Sequence, residues 1–208
     1  GFFCIFIIMN SFIKNKLRIG LLNENIIEVP NLPNSMNFWH GGNLDEYSEI
    51  IAQKNGRYEY GPGLYLITQF DVAKKYAKGS RKLYIVTVEK GHEIGDVSLN
   101  MNNVISFVNS FVLSKKRKEI LGRFERHIKD GYIKADIFNN IILNEKAIKA
   151  SNTNNLRQFL VSNGIDYELV HNPFGWGETM MVLYNMKKII KTTIFGPKDR
   201  MENYNFKI

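Results

Sequence analysis

The sequence predicts an α+β protein, and three observations carry that prediction. Short strand-like runs come first, helical stretches fill the middle, and strand-like runs return near the end. The regular strand–helix alternation of a doubly wound sheet is missing. So are the glycine-rich strand-to-helix fingerprint of the common dinucleotide folds and any phosphate-loop motif. The chain has 208 residues, which suits one domain of ordinary size with a full core. With 44% hydrophobic and 23% charged residues, its composition is that of a globular chain.

Residues 1–8 are apolar and precede Met9. They fall well short of the roughly 20 apolar residues that span a bilayer, and the basic start and small-residue cleavage site of a signal peptide are not evident. Residues 1–30 read as an N-terminal extension and 31–208 as the main domain. Ser11 to Leu22 mixes Ile, Leu and Lys and predicts a short helix. Pro30 and Pro33 make residues 25–33 extended. Met36 to His40 is a short apolar strand that ends at Gly41-Gly42.

Tyr47, Ile50 and Ile51 at helical spacing predict a short helix over 45–53. Glycines and one proline mark 55–63 as a loop. Leu64 to Ile67 is a strand, and Thr68 is placed to cap a helix over 71–77. Residues 82–89 alternate in side-chain face and predict a strand. Residues 104–113 are apolar. Residues 115–129 form a basic, amphipathic stretch with Ile120, Leu121, Phe124 and Ile128 on one face. Residues 135–149 are helical, so 104–149 reads as a helical insertion. A helix over 156–163 stops at Gly164. Strands follow at 167–170, 179–184 and 188–195, with a loop at 171–177 that holds Pro173, Gly175, Trp176 and Gly177.

The formal charge is +8 and the isoelectric point about 9.4. Such a balance suits anionic partners, or is a plain surface property. The lysines are spread along the chain, and the run Lys115 to Lys118 reads as the solvated face of a helix. The single cysteine, Cys4, excludes an internal disulfide framework and a cysteine-rich zinc site. His92 and His127 lack acidic or cysteine neighbours at ligand spacing, so no metal is expected.

Two features reach beyond folding. His40 is followed by two glycines, which let a ligand approach the backbone closely. Its imidazole suits a hydrogen bond to a sugar hydroxyl. Tyr65 and Tyr76 stand eleven positions apart, one on a strand and one on a helix, on either side of a short polar turn and just after Gly61-Pro62-Gly63. A strand tyrosine and a helix tyrosine facing each other can hold a flat ring between them.

Trp39-His40-Gly41, then Gly63-Leu64-Tyr65-Leu66 and Tyr76, resembles the H-Y-E class of ADP-ribosyltransferases, the class of poly-ADP-ribose polymerases and diphtheria toxin. The late run Gly164 to Tyr167 and the strand ending Leu183-Tyr184-Asn185 are similar to compact bacterial and phage members. The resemblance covers about 36–90 and 156–195. It implies split antiparallel sheets around an NAD cleft. It also implies that His40, Gly41, Gly42 and Gly63 contact NAD and that Tyr65 and Tyr76 bracket its nicotinamide. A small hydroxyl residue often stands three before the second tyrosine; here that position is Ala73. The class places a glutamate at the start of the late strand. Alignment puts Met180 there, with Glu178 two residues earlier on the same strand face. Glu178 is the expected acid, with His40 and Tyr65 beside it.

Cleaving the nicotinamide–ribose bond passes through an oxocarbenium-like sugar, which a fixed anion stabilises. The function expected from the resemblance is NAD-dependent mono-ADP-ribosyl transfer to a macromolecule, in the cytoplasm of a bacterium or infected bacterial host. NAD serves as substrate, a protein is the preferred acceptor, and no membrane is involved. Phe174 and Trp176 on the 171–177 loop suit acceptor docking, and His171 is a candidate base. Transfer to nucleic acid, a 2′-phosphotransferase of the same fold, and an NAD-binding module with a decayed site stay open beside it.

Overall fold

The computed structural model describes residues 25–26, 29–42, 44, 59–77, 82–196, 199–200 and 205–208. The helices expected at 11–22 and 45–53 lie outside the described residues, as do residues 1–8. The described strands are β1 (Asn25–Ile26), β2 (Ser35–Gly41), β3 (Leu64–Ile67), β4 (Leu83–Glu89), β5 (Ser98–Asn100), β6 (Tyr132–Lys134), β7 (Tyr167–His171), β8 (Thr179–Leu183), β9 (Ile189–Phe195) and β10 (Asp199–Arg200). The helices are α1 (Phe70–Tyr76), α2 (Met101–Phe111), α3 (Arg117–Glu125), α4 (Ala135–Asn144) and α5 (Thr153–Ser162). The architecture is α+β, with one six-stranded antiparallel sheet in the order β7-β8-β3-β2-β4-β9.

The resemblance implied split sheets; the structure has one sheet with a seam. β2 and β4 pair at seven successive positions, from Ser35–Glu89 to Gly41–Leu83. β3 and β8 pair at four. Between β2 and β3 the joint is the single pair Trp39–Ile67. Two three-stranded halves thus meet at one rung.

Both faces of the central strands are buried, which is why those strands read as nearly continuous apolar runs. On one face Trp39, Ile67, Ile85, Met180 and Val182 join a core with α1 and with Phe107, Phe124, Phe138 and Leu160 of α2 to α5. The stretch expected as an insertion therefore shares its core with the sheet. On the other face Phe38, Leu66, Tyr84, Val86 and Met181 form a second cluster. Trp39 is fully buried, edge-on to Phe70 and Phe195 and stacked on Phe206.

Several expected boundaries shift. Gln69, not Thr68, stands at the N-cap position of α1 without a side-chain cap bond, and the Thr68 hydroxyl accepts the Thr179 N–H at 2.9 Å. The apolar 104–113 stretch is helix α2, capped by the Asn100 side chain on the Asn102 N–H. The basic stretch is helical only from Arg117 to Glu125, after a short turn of 3-10 helix at Ser114–Lys116. α4 ends at Asn144, with Lys146 at φ 47° just beyond.

Candidate active site

The strands part beyond the single rung, and His40 stands at the opening. Alternation along β2 turns it to the face opposite Trp39, toward Tyr84. Its Nδ1 lies 3.0 Å from the Tyr65 carbonyl oxygen on β3. A carbonyl only accepts, so Nδ1 carries the proton and donates. Burial lowers the imidazole pKa, against the smaller upward pull of that carbonyl. The ring is therefore neutral near pH 7 and its Nε2 is an acceptor. The sequence suits this histidine as a hydrogen-bond donor; with Nδ1 donating to Tyr65, Nε2 carries a lone pair instead. Gly42 sits beside that nitrogen: a Cβ there would stand 3.1 Å from Nε2, at a φ of +145°.

Gly41 has a packing reason of its own. A Cβ on it would lie 1.9 Å from the Ala73 carbonyl oxygen and 2.8 Å from the Ala77 nitrogen. α1 therefore rests on the β2 backbone, and Ala73 is buried in that contact rather than offered to a ligand. Tyr76 closes α1 next to this crossing and is 63% exposed. Tyr65 packs against the helix-covered core, so both tyrosines stand on the face that carries α1.

The Tyr65 hydroxyl donates to the Gly61 carbonyl at 2.9 Å, which folds the Gly61–Gly63 turn back over its own strand. Gly63 is as constrained as Gly41. A Cβ there would meet the Leu183 carbonyl oxygen and Val182 Cγ1, both at 2.7 Å. The seam thus gathers the backbone of Gly41, Gly42 and Gly63, with the His40 ring on one sheet face and Tyr65 and the end of α1 at Tyr76 on the other.

Glu178, the expected acid, is engaged by the loop in front of β8. It is buried just ahead of β8, and its carboxylate accepts the Phe174 N–H and, at 2.8 Å, the Trp176 N–H. Asn172, at φ 54°, accepts the Gly177 N–H at 2.8 Å through its side chain. Gln69 donates to the Trp176 carbonyl at 2.6 Å, and Lys75 Nζ lies 3.6 Å above the Trp176 ring. The loop is thereby fastened to α1, with Phe174 and Trp176 still 43% and 54% exposed. The His171 Nδ1 lies 3.1 Å from the Thr179 hydroxyl. Met180, the aligned acid position, is buried in the core and brings no charge.

An amide in place of this carboxylate keeps one acceptor and turns an NH2 toward a backbone donor. Glu178→Gln is expected to destabilise the fold by about 2 kcal/mol and to free the loop. Urea unfolding and cleavage at 172–177 by a nonspecific protease measure both. Unchanged values of both mean that the loop is held by other contacts.

The sequence did not single out Glu168, Tyr184 and Asn139, which form a buried polar cluster behind Tyr60 and Gly61. The available signal was a lone acid inside the apolar strand Tyr167–His171. Among the described residues no group of three or more His, Cys, Asp or Glu side chains is placed to hold a metal. Among them, too, no helix is long and apolar enough to cross a membrane. Comparison with family models, with curated proteins and with solved structures finds no match to this chain.

Proposed function

We propose that the chain binds NAD at the open end of the seam and transfers its ADP-ribose to a macromolecular acceptor, releasing nicotinamide. The observation that carries this reading is His40. It bridges the two sheet halves through Nδ1 and keeps Nε2 as an acceptor beside Gly42. Nε2 suits a ribose hydroxyl, and the Gly41-Gly42 backbone suits the nicotinamide amide. Tyr65 and Tyr76, on the helix-covered face, are the rings this reading assigns to the nicotinamide.

In the reaction the C1′–N bond breaks and nicotinamide leaves with the electron pair. An acceptor nucleophile then bonds C1′ and gives up its proton, for which His171 on the 171–177 loop is the candidate base. Glu178 joins this chemistry only by releasing the loop amides it holds. With Met180 at the aligned acid position, that favours one specific second reading, a module that binds NAD without transferring from it.

The test is incubation with NAD labelled in its adenylate and a bacterial lysate, with the products divided by protease and nuclease. Label removed by protease supports a protein acceptor, and label removed by nuclease a nucleic acid. NAD bound with neither label nor free nicotinamide supports the binding module. No binding and no label overturns the proposal.

A further inference from the structure

The cluster behind the Tyr60–Gly63 turn contains more short oxygen contacts than its obvious protons can serve. The Tyr184 hydroxyl lies 2.7 Å from Glu168 Oε2 and 2.9 Å from the Tyr60 carbonyl oxygen. Two contacts of that length need two protons, and a hydroxyl has one. Asn139 does not supply the second. Its Nδ2 stands farther off, 3.3 Å from Tyr60 O, 3.3 Å from Glu168 Oε2 and 3.4 Å from the Tyr184 oxygen. Turning that amide over would face its oxygen to three oxygens, so its orientation is fixed. The Tyr60 carbonyl has nothing to donate, which leaves the Glu168 carboxyl as the source.

We propose that Glu168 is a neutral carboxylic acid that donates to Tyr184, so that Tyr184 donates to Tyr60 and latches the Tyr60–Gly63 wall of the cleft. Glu168 is thus a positioning residue, acting through Tyr184. The functional half of this proposal rests on the NAD reading above; the proton count does not. The surroundings favour the neutral acid. Glu168 faces Tyr184 at the end of β8, Asn139 and Asp136 on α4, Glu93 ahead of the 3-10 turn at Ile94–Asp96, and Tyr65 by way of Tyr184. Burial first, then the charges of Asp136 and Glu93, push its pKa to about 7 against the opposing hydrogen bonds from Tyr184 and Asn139. Burial and Glu168 raise the pKa of Tyr184 as well, so Tyr184 stays a hydroxyl.

Ionising Glu168 removes one of the two protons. Tyr184 then turns to the carboxylate, and the Tyr60 carbonyl loses its short partner. Gly61 is bound next to it, since a Cβ there would stand 2.8 Å from the Tyr184 oxygen. Tyr65 is tied to Gly61 in turn. The wall therefore holds below about pH 7 and loosens above it.

Carboxyl carbon NMR of the whole chain tests the proton directly, with Glu168 identified as the resonance lost in Glu168→Gln. A midpoint about 7 is expected, against 4.5 for an ordinary glutamate. A midpoint near 4.5 overturns the proposal. Glu168→Gln keeps a neutral donor at this position. Going from pH 6 to pH 8 is expected to raise opening at Gly61 and Gly63 about tenfold in the natural chain, by amide exchange corrected for intrinsic rates. In Glu168→Gln that rise is expected to vanish, and an equal rise in both proteins overturns the latch. NAD affinity, read over the same range, is expected to fall about tenfold in the natural chain only. If the titration and exchange behave as stated while NAD does not bind, the NAD reading fails and the latch stands.

Discussion

Gly41→Ala is expected to destabilise the protein by about 3 kcal/mol, the upper end of what overpacking usually costs. The added methyl has nowhere to go. It meets the Ala73 carbonyl at 1.9 Å and the Ala77 nitrogen at 2.8 Å, both backbone atoms of one helix turn. No rotamer change relieves that, so α1 must lift off β2 and take Val72, Ala73 and Ala77 out of the core. Gly122→Ala is the matched control. Gly122 lies inside α3, and nothing stands within 4 Å of a Cβ there. Alanine at that position is expected to stabilise the chain by about 0.5–1 kcal/mol through helix propensity. Urea midpoints compare the two directly. A Gly41→Ala protein as stable as the natural one would mean that α1 slides without cost, and that this crossing does not fix the position of Tyr76.

The second large effect belongs to His40. His40→Ala is expected to weaken NAD binding at least about tenfold at pH 7.5, since it removes an acceptor for the ribose and a brace for the slot. Calorimetric titration measures this, and an affinity within twofold of the natural chain removes His40 from the site. The same substitution changes how stability depends on pH. The unfolded imidazole takes up a proton near 6.5, the folded one only at lower pH. The natural chain therefore keeps its full stability above pH 6.5 and loses part of it as pH falls further. His40→Ala lacks that loss. At pH 7.5 it is less stable by about 1 kcal/mol for the missing hydrogen bond, and the gap narrows toward pH 5.

The strands of the main sheet were legible because they announce themselves locally. Met36 to His40 ends at two glycines, and residues 83–88 are all β-branched or aromatic except for Leu83. β5 and β6 were missed, being three-residue strands with no alternation to read. The cluster of His40 with Gly41, Gly63 and Tyr65 could be anticipated because these residues sit close in sequence around one turn. Other roles could not. Gly41 invites a reading as room for a ligand and Gly63 as an NAD contact, and each also has a close packing neighbour that only the placement of α1 and β8 discloses. Glu178 was read as a free acid, and its two loop partners depend on a turn whose left-handed residues were not evident. The Glu168 cluster unites residues 60, 139, 168 and 184, which topology alone assembles.

The lone Trp39–Ile67 rung has a mechanical consequence. A hydrogen-bonded ladder resists shear along its whole length, whereas one rung is a pivot. With that rung and the His40–Tyr65 brace in place of a full ladder, the joint resists turning less than the paired strands on either side. The gap between His40 and the Gly61–Gly63 turn is then set by side chains near the pivot and not by the peptide ladder. Widening or narrowing it takes only a change of volume at Trp39, Phe70 or Phe195, the rings packed around the pivot. Selection can thus retune what the gap admits without redesigning the sheet.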